Sequence, residues 1–265
     1  MPGKYLDIVR AARPRVHCMA NYVTANDCAN LLLAVGASPV MADDPLESAQ
    51  VTACCNALTL SLGTISERKL QAMQLSCAAA GRKGIPALLD PVGVTVSPLR
   101  REAAKQLLET GCISMIRGNA SEIRLLAGEA VGACGLEAEA EAGDECAAAR
   151  RLAKQTGAIV VMTGKTDIVT DGERLQRVYN GHEILRAITG AGCQLSAMLG
   201  AFAGANPKNL FDASVSAVCM MGLCGEIAHA RMTQMDGNSA CRGYIIDAAY
   251  RMTGEQLTEG ARYDA

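Results

Sequence analysis

Tryptophan is absent from the 265-residue chain and phenylalanine occurs only twice, so aromatic residues make up 3% of it. That leaves little surface on which nucleic-acid bases can stack. A dominant charge is missing too: 25 Lys and Arg against 27 Asp and Glu give a formal net charge of −2, with no general attraction to nucleic acid or an anionic membrane. Every apolar run is interrupted by Gly, Ser, Asn or a charge before the roughly 18 residues that suggest a membrane span. The first fifteen residues carry Lys4, Asp7, Arg10, Arg13 and Arg15 and hold no continuous hydrophobic stretch of the signal-peptide kind. A cytoplasmic protein with no nucleic-acid or membrane partner is expected.

Cysteine is plentiful, yet the Cys-x-x-Cys spacing of zinc and dithiol sites is missing. The twelve cysteines are scattered through apolar segments; Cys54 and Cys55 are adjacent, and Cys219 and Cys224 sit five apart. A chain this long buries enough core to fold without disulfide staples, so reduced and mostly buried thiols are expected. His17, His182 and His229 are too far apart in sequence to form a local metal motif, and none is assigned to catalysis.

What remains is a pattern of alternating elements. Half of the residues are hydrophobic, enough for the core of one sizeable domain spanning 1–265. Short apolar runs at 57–62, 85–89, 113–116 and 158–162 each stop at a polar or Gly-containing turn and read as buried parallel strands. Helical segments at 66–81, 98–110, 121–128 and 144–157 separate them, which is the alternation of an α/β domain with helices on both sheet faces. Segments 168–170 and 175–179 around Asp171-Gly172 predict an antiparallel hairpin at one edge. Helices over 193–204, 210–232 and 239–259 are expected to close the chain, the second well buried. The acidic, alanine-rich stretch 136–145 reads as solvated surface.

The most informative run is Ile188-Thr189-Gly190-Ala191-Gly192-Cys193-Gln194-Leu195-Ser196. Leu195, Met198, Leu199 and Phe202 follow at helical spacing, so the glycines lie at a helix N-terminus. Free amides and the positive end of the helix dipole favour a phosphate there, and glycine removes the Cβ that would hold it off. A helix N-terminus also lowers a thiol pKa, so Cys193 is a candidate reactive group, with a buried hydrophobe as its bland alternative.

Asp90, Arg117 and Thr163 each end or follow an expected parallel strand, where open α/β sheets bind their ligands. Asp90 and Glu122 suit a magnesium-nucleotide; equally, Asp90 can serve a strand-end turn and Glu122 can supply favourable charge to a helix's first turn. Arg117 offers a planar fork for phosphate oxygens or a structural salt bridge. Asn119 or Ser121 can cap the helix that follows.

The motifs Val16-His17-Cys18-Met19-Ala20-Asn21-Tyr22-Val23-Thr24, Gly36-Ala37-Ser38-Pro39-Val40-Met41, Leu89-Asp90-Pro91-Val92-Gly93, Arg117-Gly118-Asn119-Ala120-Ser121-Glu122, Thr163-Gly164-Lys165-Thr166-Asp167 and Thr189-Gly190-Ala191-Gly192-Cys193 occur in this order. Together they resemble the hydroxyethylthiazole kinase family of the ribokinase-like superfamily over nearly the whole chain. The resemblance implies a ribokinase-like three-layer α/β fold, with a mostly parallel central sheet covered by helices on both faces. It implies phosphorylation by ATP of the primary hydroxyl of 4-methyl-5-(2-hydroxyethyl)thiazole, in thiamine biosynthesis or salvage. It further implies a homotrimer with active sites between subunits.

By the same resemblance Met41 and Gly190 belong to the thiazole pocket, with Asn21 as a further contributor. Arg117 and Thr163 fall to ATP, and Asp90 and Glu122 to Mg2+. Gly190, Ala191, Gly192 and Cys193 form the anion hole. Cys193 stands where related kinases carry an aspartate, so it either deprotonates or positions the hydroxyl. Methionine against a sulfur heterocycle makes physical sense, although Met41 alone reads only as a flexible core filler. Two positions depart from the family pattern: Ser61 stands where Asn is expected before Gly63-Thr64, and Thr95-Val96 replace Gly-Ala. The alternatives are a ribokinase-like kinase of a hydroxymethylpyrimidine-type alcohol and a nucleotide-binding regulatory protein without turnover.

Overall fold

Six parallel strands carry the centre of the molecule, and a hairpin extends one edge. The computed structural model describes residues 1–129 and 142–264. Its single eight-stranded sheet has the order β2-β1-β3-β4-β5-β6-β7-β8. The strands are β1 (Arg15–Met19), β2 (Ser38–Val40), β3 (Ala57–Ser61), β4 (Ala87–Asp90), β5 (Met115–Asn119), β6 (Ile159–Thr163), β7 (Asp167–Thr170) and β8 (Leu175–Val178). The β6–β7 and β7–β8 pairings are antiparallel, and the other strand pairings among the described residues are parallel.

The helices are α1 (Gly3–Ala12), α2 (Ala25–Val35), α3 (Ser48–Ala53), α4 (Glu67–Lys83), α5 (Pro98–Glu109), α6 (Ala120–Leu126), α7 (Ala142–Thr156), α8 (Ala191–Ala205), α9 (Leu210–Arg231), α10 (Asn238–Arg251) and α11 (Gly254–Gly260). A 3-10 turn, Glu183–Ala187, precedes α8. The expected three-layer arrangement follows from the two-residue period of the strands. In β4, Leu88 joins one hydrophobic cluster with α2, α8 and α9, while Leu89 joins the opposite cluster with α4, α5 and α7.

Helix α9 is the one helix among the described residues long and apolar enough to cross a membrane; 72% of that apolar window is buried inside the fold. It packs on α8, α10 and the antiparallel strands as a core helix.

Three expectations need correction. The single closing helix over 239–259 is two helices, because Thr253 adopts an extended conformation and starts a new one. Its side chain accepts from the Gln256 amide, and the Gln256 side chain accepts from the Thr253 amide in return. The hairpin turn is a four-residue loop, 171–174, rather than a two-residue Asp-Gly turn. Asp171 Oδ1 accepts from the amides of Glu173 and Arg174, while Gly172 takes φ +97°. Helix α8 begins two residues earlier than 193, so Cys193 is its third residue. Strands β1 and β2 and helices α1, α2 and α3, all before residue 57, were not assigned from the sequence. The acidic stretch 136–145 lies, up to residue 141, outside the described residues. The eleven described cysteines are all free and most are buried.

Candidate active site

The parallel strands finish level with one another, and their last residues meet the first turn of α8. Register aligns Ser61 with Asp90 across β3 and β4, and Asn119 with Thr163 across β5 and β6. The chain leaves the sheet there, so polar side chains are carried to the ligand-binding edge instead of into the core.

At α8, Gly190 adopts φ +86°, and a Cβ added to it would lie 2.4 Å from Thr24 Cγ2. Only glycine meets both demands without strain. The Ala191 amide donates to the Ile188 carbonyl at 3.3 Å, whereas the amides of Gly192 and Cys193 have no acceptor among the described residues. The expected anion hole therefore keeps its open donors at residues 192 and 193. Arg117 covers it: a Cβ on Gly192 would lie 2.4 Å from Arg117 Nη1.

Arg117 Nη2 donates to Thr163 Oγ1 at 2.8 Å, and Nη1 stands 3.8 Å from Asp90 Oδ1. Ser196 Oγ donates to Asp90 Oδ2 at 2.9 Å. Asp90 is 1% exposed, yet among the described residues its Oδ1 has no hydrogen-bond partner, and neither has the buried Arg117 Nε. Buried polar atoms are seldom left unpaired unless a ligand, ion or water completes them. A carboxylate oxygen and a guanidinium N–H are thus both available beside the open amides, one suited to a hard cation and the other to an anion.

Glu122 serves the backbone first. Its Oε2 accepts from the Asn119 amide and its Oε1 from the Gly93 amide, both at 2.9 Å, while Asn119 Oδ1 accepts from the Glu122 amide. Asn119, rather than Ser121, is the cap of α6. Burial raises the Glu122 carboxyl above its ordinary range, as it does Asp90, where Arg117 works in the opposite direction.

Cys193 reverses an expectation. Its thiol is pushed up to about 11, first by burial and then by the charge of Asp90, and the helix N-terminus does not make it a ready thiolate. Asn21, 6% exposed, donates from Nδ2 to Cys193 Sγ at 3.3 Å and accepts at Oδ1 from the Thr24 amide. This ties the thiol to the segment that leads into α2.

Two cavities flank these groups. One, of about 810 Å³, is lined by Arg117, Thr163, Asp167, His182, Gly192 and Met221 among others. The other, of about 360 Å³, is lined by Cys18, Met19, Tyr22, Met41, Asp43 and Lys69. Asp90, Cys193 and Ser196 line a small space that shares Cys18, Met19 and Ala20 with the second cavity. Met41 lines the second cavity, whereas Asn21 and Gly190 lie beside Cys193 and Thr24 and not in its wall. Ser61 falls in the small space and accepts weakly from the Gly63 amide at 3.4 Å.

Several participants were not singled out from the sequence. Ser196 follows Cys193 by three residues and so shares its helix face, a signal that was available. Asp167 lines the larger cavity, accepts from the Gly164 amide at 3.0 Å, and is raised to about 6 by burial. Lys69 gave no such signal, because a lysine in the first turns of a helix ordinarily faces solvent.

A family model for hydroxyethylthiazole kinases matches residues 6–255. Hydroxyethylthiazole kinase of Clostridium acetobutylicum is 41% identical, over 98% of this chain and 98% of that protein. The solved structure of hydroxyethylthiazole kinase protein from Pyrococcus horikoshii OT3 superposes with a TM-score of 0.88 at 31% identity, covering 99% of this chain and 98% of that one. The pyridoxal kinase of Staphylococcus aureus shares the fold alone, with a TM-score of 0.60 at 17% identity, covering 85% of this chain and 91% of that one. The fold is thus ribokinase-like, and the chain belongs to the hydroxyethylthiazole kinase family.

Proposed function

We propose that the protein transfers the γ-phosphoryl group of ATP to the primary hydroxyl of 4-methyl-5-(2-hydroxyethyl)thiazole. The observation that carries this reading is the buried cluster at the head of α8. Open Gly192 and Cys193 amides, Arg117, and Asp90 Oδ1, which accepts no hydrogen bond among the described residues, lie together there, beside the small space that adjoins the Met41 cavity. The larger cavity takes the nucleotide and the Met41 cavity takes the thiazole ring.

Phosphoryl transfer depends mainly on alignment and charge stabilisation, and each group has a matching task. The two amides and Arg117 hold the oxygens of the migrating phosphoryl group, with Thr163 fixing the guanidinium. Asp90, held by Ser196, is the carboxylate suited to Mg2+; that ion, when bound, neutralises charge on the nucleotide phosphates. Glu122 acts through the backbone, tying the loop at Gly93 to the start of α6. Cys193 remains protonated near neutrality, so it orients the substrate hydroxyl and does not abstract its proton.

Tyr22 and Met41 are 82% and 40% exposed in the wall of the substrate cavity, apolar surface that a neighbouring subunit would cover. This supports a homotrimer with shared sites, to be checked by sedimentation. A cytoplasmic enzyme of thiamine salvage or synthesis is consistent with such a substrate. The test of activity is coupled ADP release across thiazole and hydroxymethylpyrimidine alcohols. Thiazole-dependent release is expected; release with the pyrimidine alone would shift the substrate, and ATP binding without release would end the kinase reading.

A further inference from the structure

The face of the sheet away from α8 holds a pair of thiols with no role so far. Cys77, in α4, is fully buried, and Cys112, in the connection between α5 and β5, is partly exposed and packs against the same hydrophobic cluster. Two contacts along one face of α4 fix their relation. Gln74 Nε2 donates to Gln106 Oε1 of α5 at 3.0 Å, and a Cβ added to Gly81 would lie 3.7 Å from Cys112 Cβ. Residues 74, 77 and 81 share a helix face, so these contacts bracket Cys77 and direct it to the end of α5. The two thiols are hydrogen-bonded to each other there. Thr110 Oγ1 stands 3.0 Å from Cys112 Sγ and donates its one proton to the Leu107 carbonyl at 2.6 Å. The donors therefore run one way, from the Cys77 S–H to the Cys112 sulfur and from the Cys112 S–H to Thr110. The bond from Cys77 lowers the Cys112 thiol to about 7, whereas the same bond, with burial, raises the thiol of Cys77.

We infer that Cys112 and Cys77 form a peroxide-responsive modification site, in which Cys112 is the thiol oxidised and Cys77 the thiol that resolves it. An accessible thiolate with a second thiol against it is the arrangement in which a sulfenic acid is captured before it oxidises further. The Cys112 thiolate attacks one oxygen of hydrogen peroxide; the O–O bond breaks, hydroxide leaves, and the sulfur becomes a sulfenic acid, oxidised by two electrons as the peroxide is reduced. The Cys77 sulfur then attacks the Cys112 sulfur; the S–O bond breaks, and the hydroxyl group leaves with the Cys77 proton as water. Two thiols and one peroxide thus give one disulfide and two waters. Closing the bond brings the sulfurs to about 2 Å, and Cys112 can supply that movement because it lies in the short connection 110–114, outside any helix or strand. The disulfide would tie α4 to the end of α5, and neither cysteine lines the two large cavities. The site is therefore independent of which alcohol is phosphorylated.

The test treats the reduced, full-length protein with hydrogen peroxide, labels the remaining thiols with N-ethylmaleimide in urea, and maps the peptides by mass spectrometry without reduction. Cys54, which is exposed, serves as the internal reference. Label is expected to be lost from Cys77 and Cys112 together, with a linked peptide carrying both residues, and to return after dithiothreitol. Cys77→Ala should leave the Cys112 sulfenic acid unresolved, so that dimedone traps it at that residue; Cys112→Ser should protect Cys77 from oxidation. The inference is overturned if Cys112 keeps its label at a peroxide dose that oxidises Cys54. It is equally overturned if Cys112 passes to sulfinic acid while Cys77 keeps its label, or if Cys112 pairs with a cysteine other than Cys77. These deciding results come from the wild-type protein and do not depend on a variant folding.

Discussion

Whether Cys193 takes the substrate proton can be decided by the pH dependence of turnover. Burial and the nearby Asp90 carboxylate raise its pKa from 9.0 to about 11. A displacement of that size disfavours the thiolate by about 3 kcal/mol, and at pH 7 leaves roughly one molecule in ten thousand deprotonated. A thiolate base would therefore make kcat climb about tenfold per pH unit from 7 to 10. A protonated thiol that only orients the hydroxyl leaves no such slope. Cys193→Ala then removes a weak hydrogen bond and some packing, at a cost of about 1 kcal/mol or roughly a fivefold loss of kcat, with KM for ATP unchanged. Stopped-time ADP release at saturating substrates, measured on both proteins between pH 6 and 10, gives the comparison. A tenfold-per-unit rise in the wild type that vanishes in Cys193→Ala would refute the positioning role. The same shift has a stability counterpart. The folded state holds the proton more tightly than the unfolded chain, so any contribution is intact below pH 9 and is lost as pH rises toward 11.

Two further outcomes test other parts of the site. Gly192→Ala puts a Cβ 2.4 Å from Arg117 Nη1 and should displace the guanidinium from the anion loop. KM for ATP is expected to rise about tenfold or more while affinity for the thiazole alcohol, measured by calorimetry, stays near wild type; unchanged ATP kinetics would detach Arg117 and Gly192 from phosphate binding. Asp167 is raised to about 6, so its folded form favours the proton and wild-type stability falls as pH rises from 4 to 6. Asp167→Asn keeps the Oδ1 that accepts from Gly164 and should gain about 1–2 kcal/mol in chemical denaturation at pH 8 but almost nothing at pH 4. A constant difference across that range would mean that the carboxylate carries no burial penalty.

The chain by itself determined the alternation of strands and helices, because burial on both sheet faces demands near-continuous apolar runs such as 87–89 and 159–162, ended by the polar residues that leave the sheet. It also announced the glycine turn before α8, since consecutive small residues ahead of an apolar helical repeat have few other uses. Short edge strands such as β2, half exposed and three residues long, leave too little pattern to read without their neighbours. The break at Thr253 is a capping choice that competes with a continuing helix over a few tenths to about 1 kcal/mol, a margin that helical periodicity does not register. Only the folded arrangement decided the chemistry of the groups. Cys193 is a raised rather than a lowered thiol because the fold buries it and sets Asp90, 103 residues earlier, beside it, and Lys69 faces a cavity because α4 starts against Ala20. Ionisation and hydrogen-bond satisfaction depend on dielectric surroundings and on partners distant in the sequence, and these exist only once the sheet has brought its strand ends together.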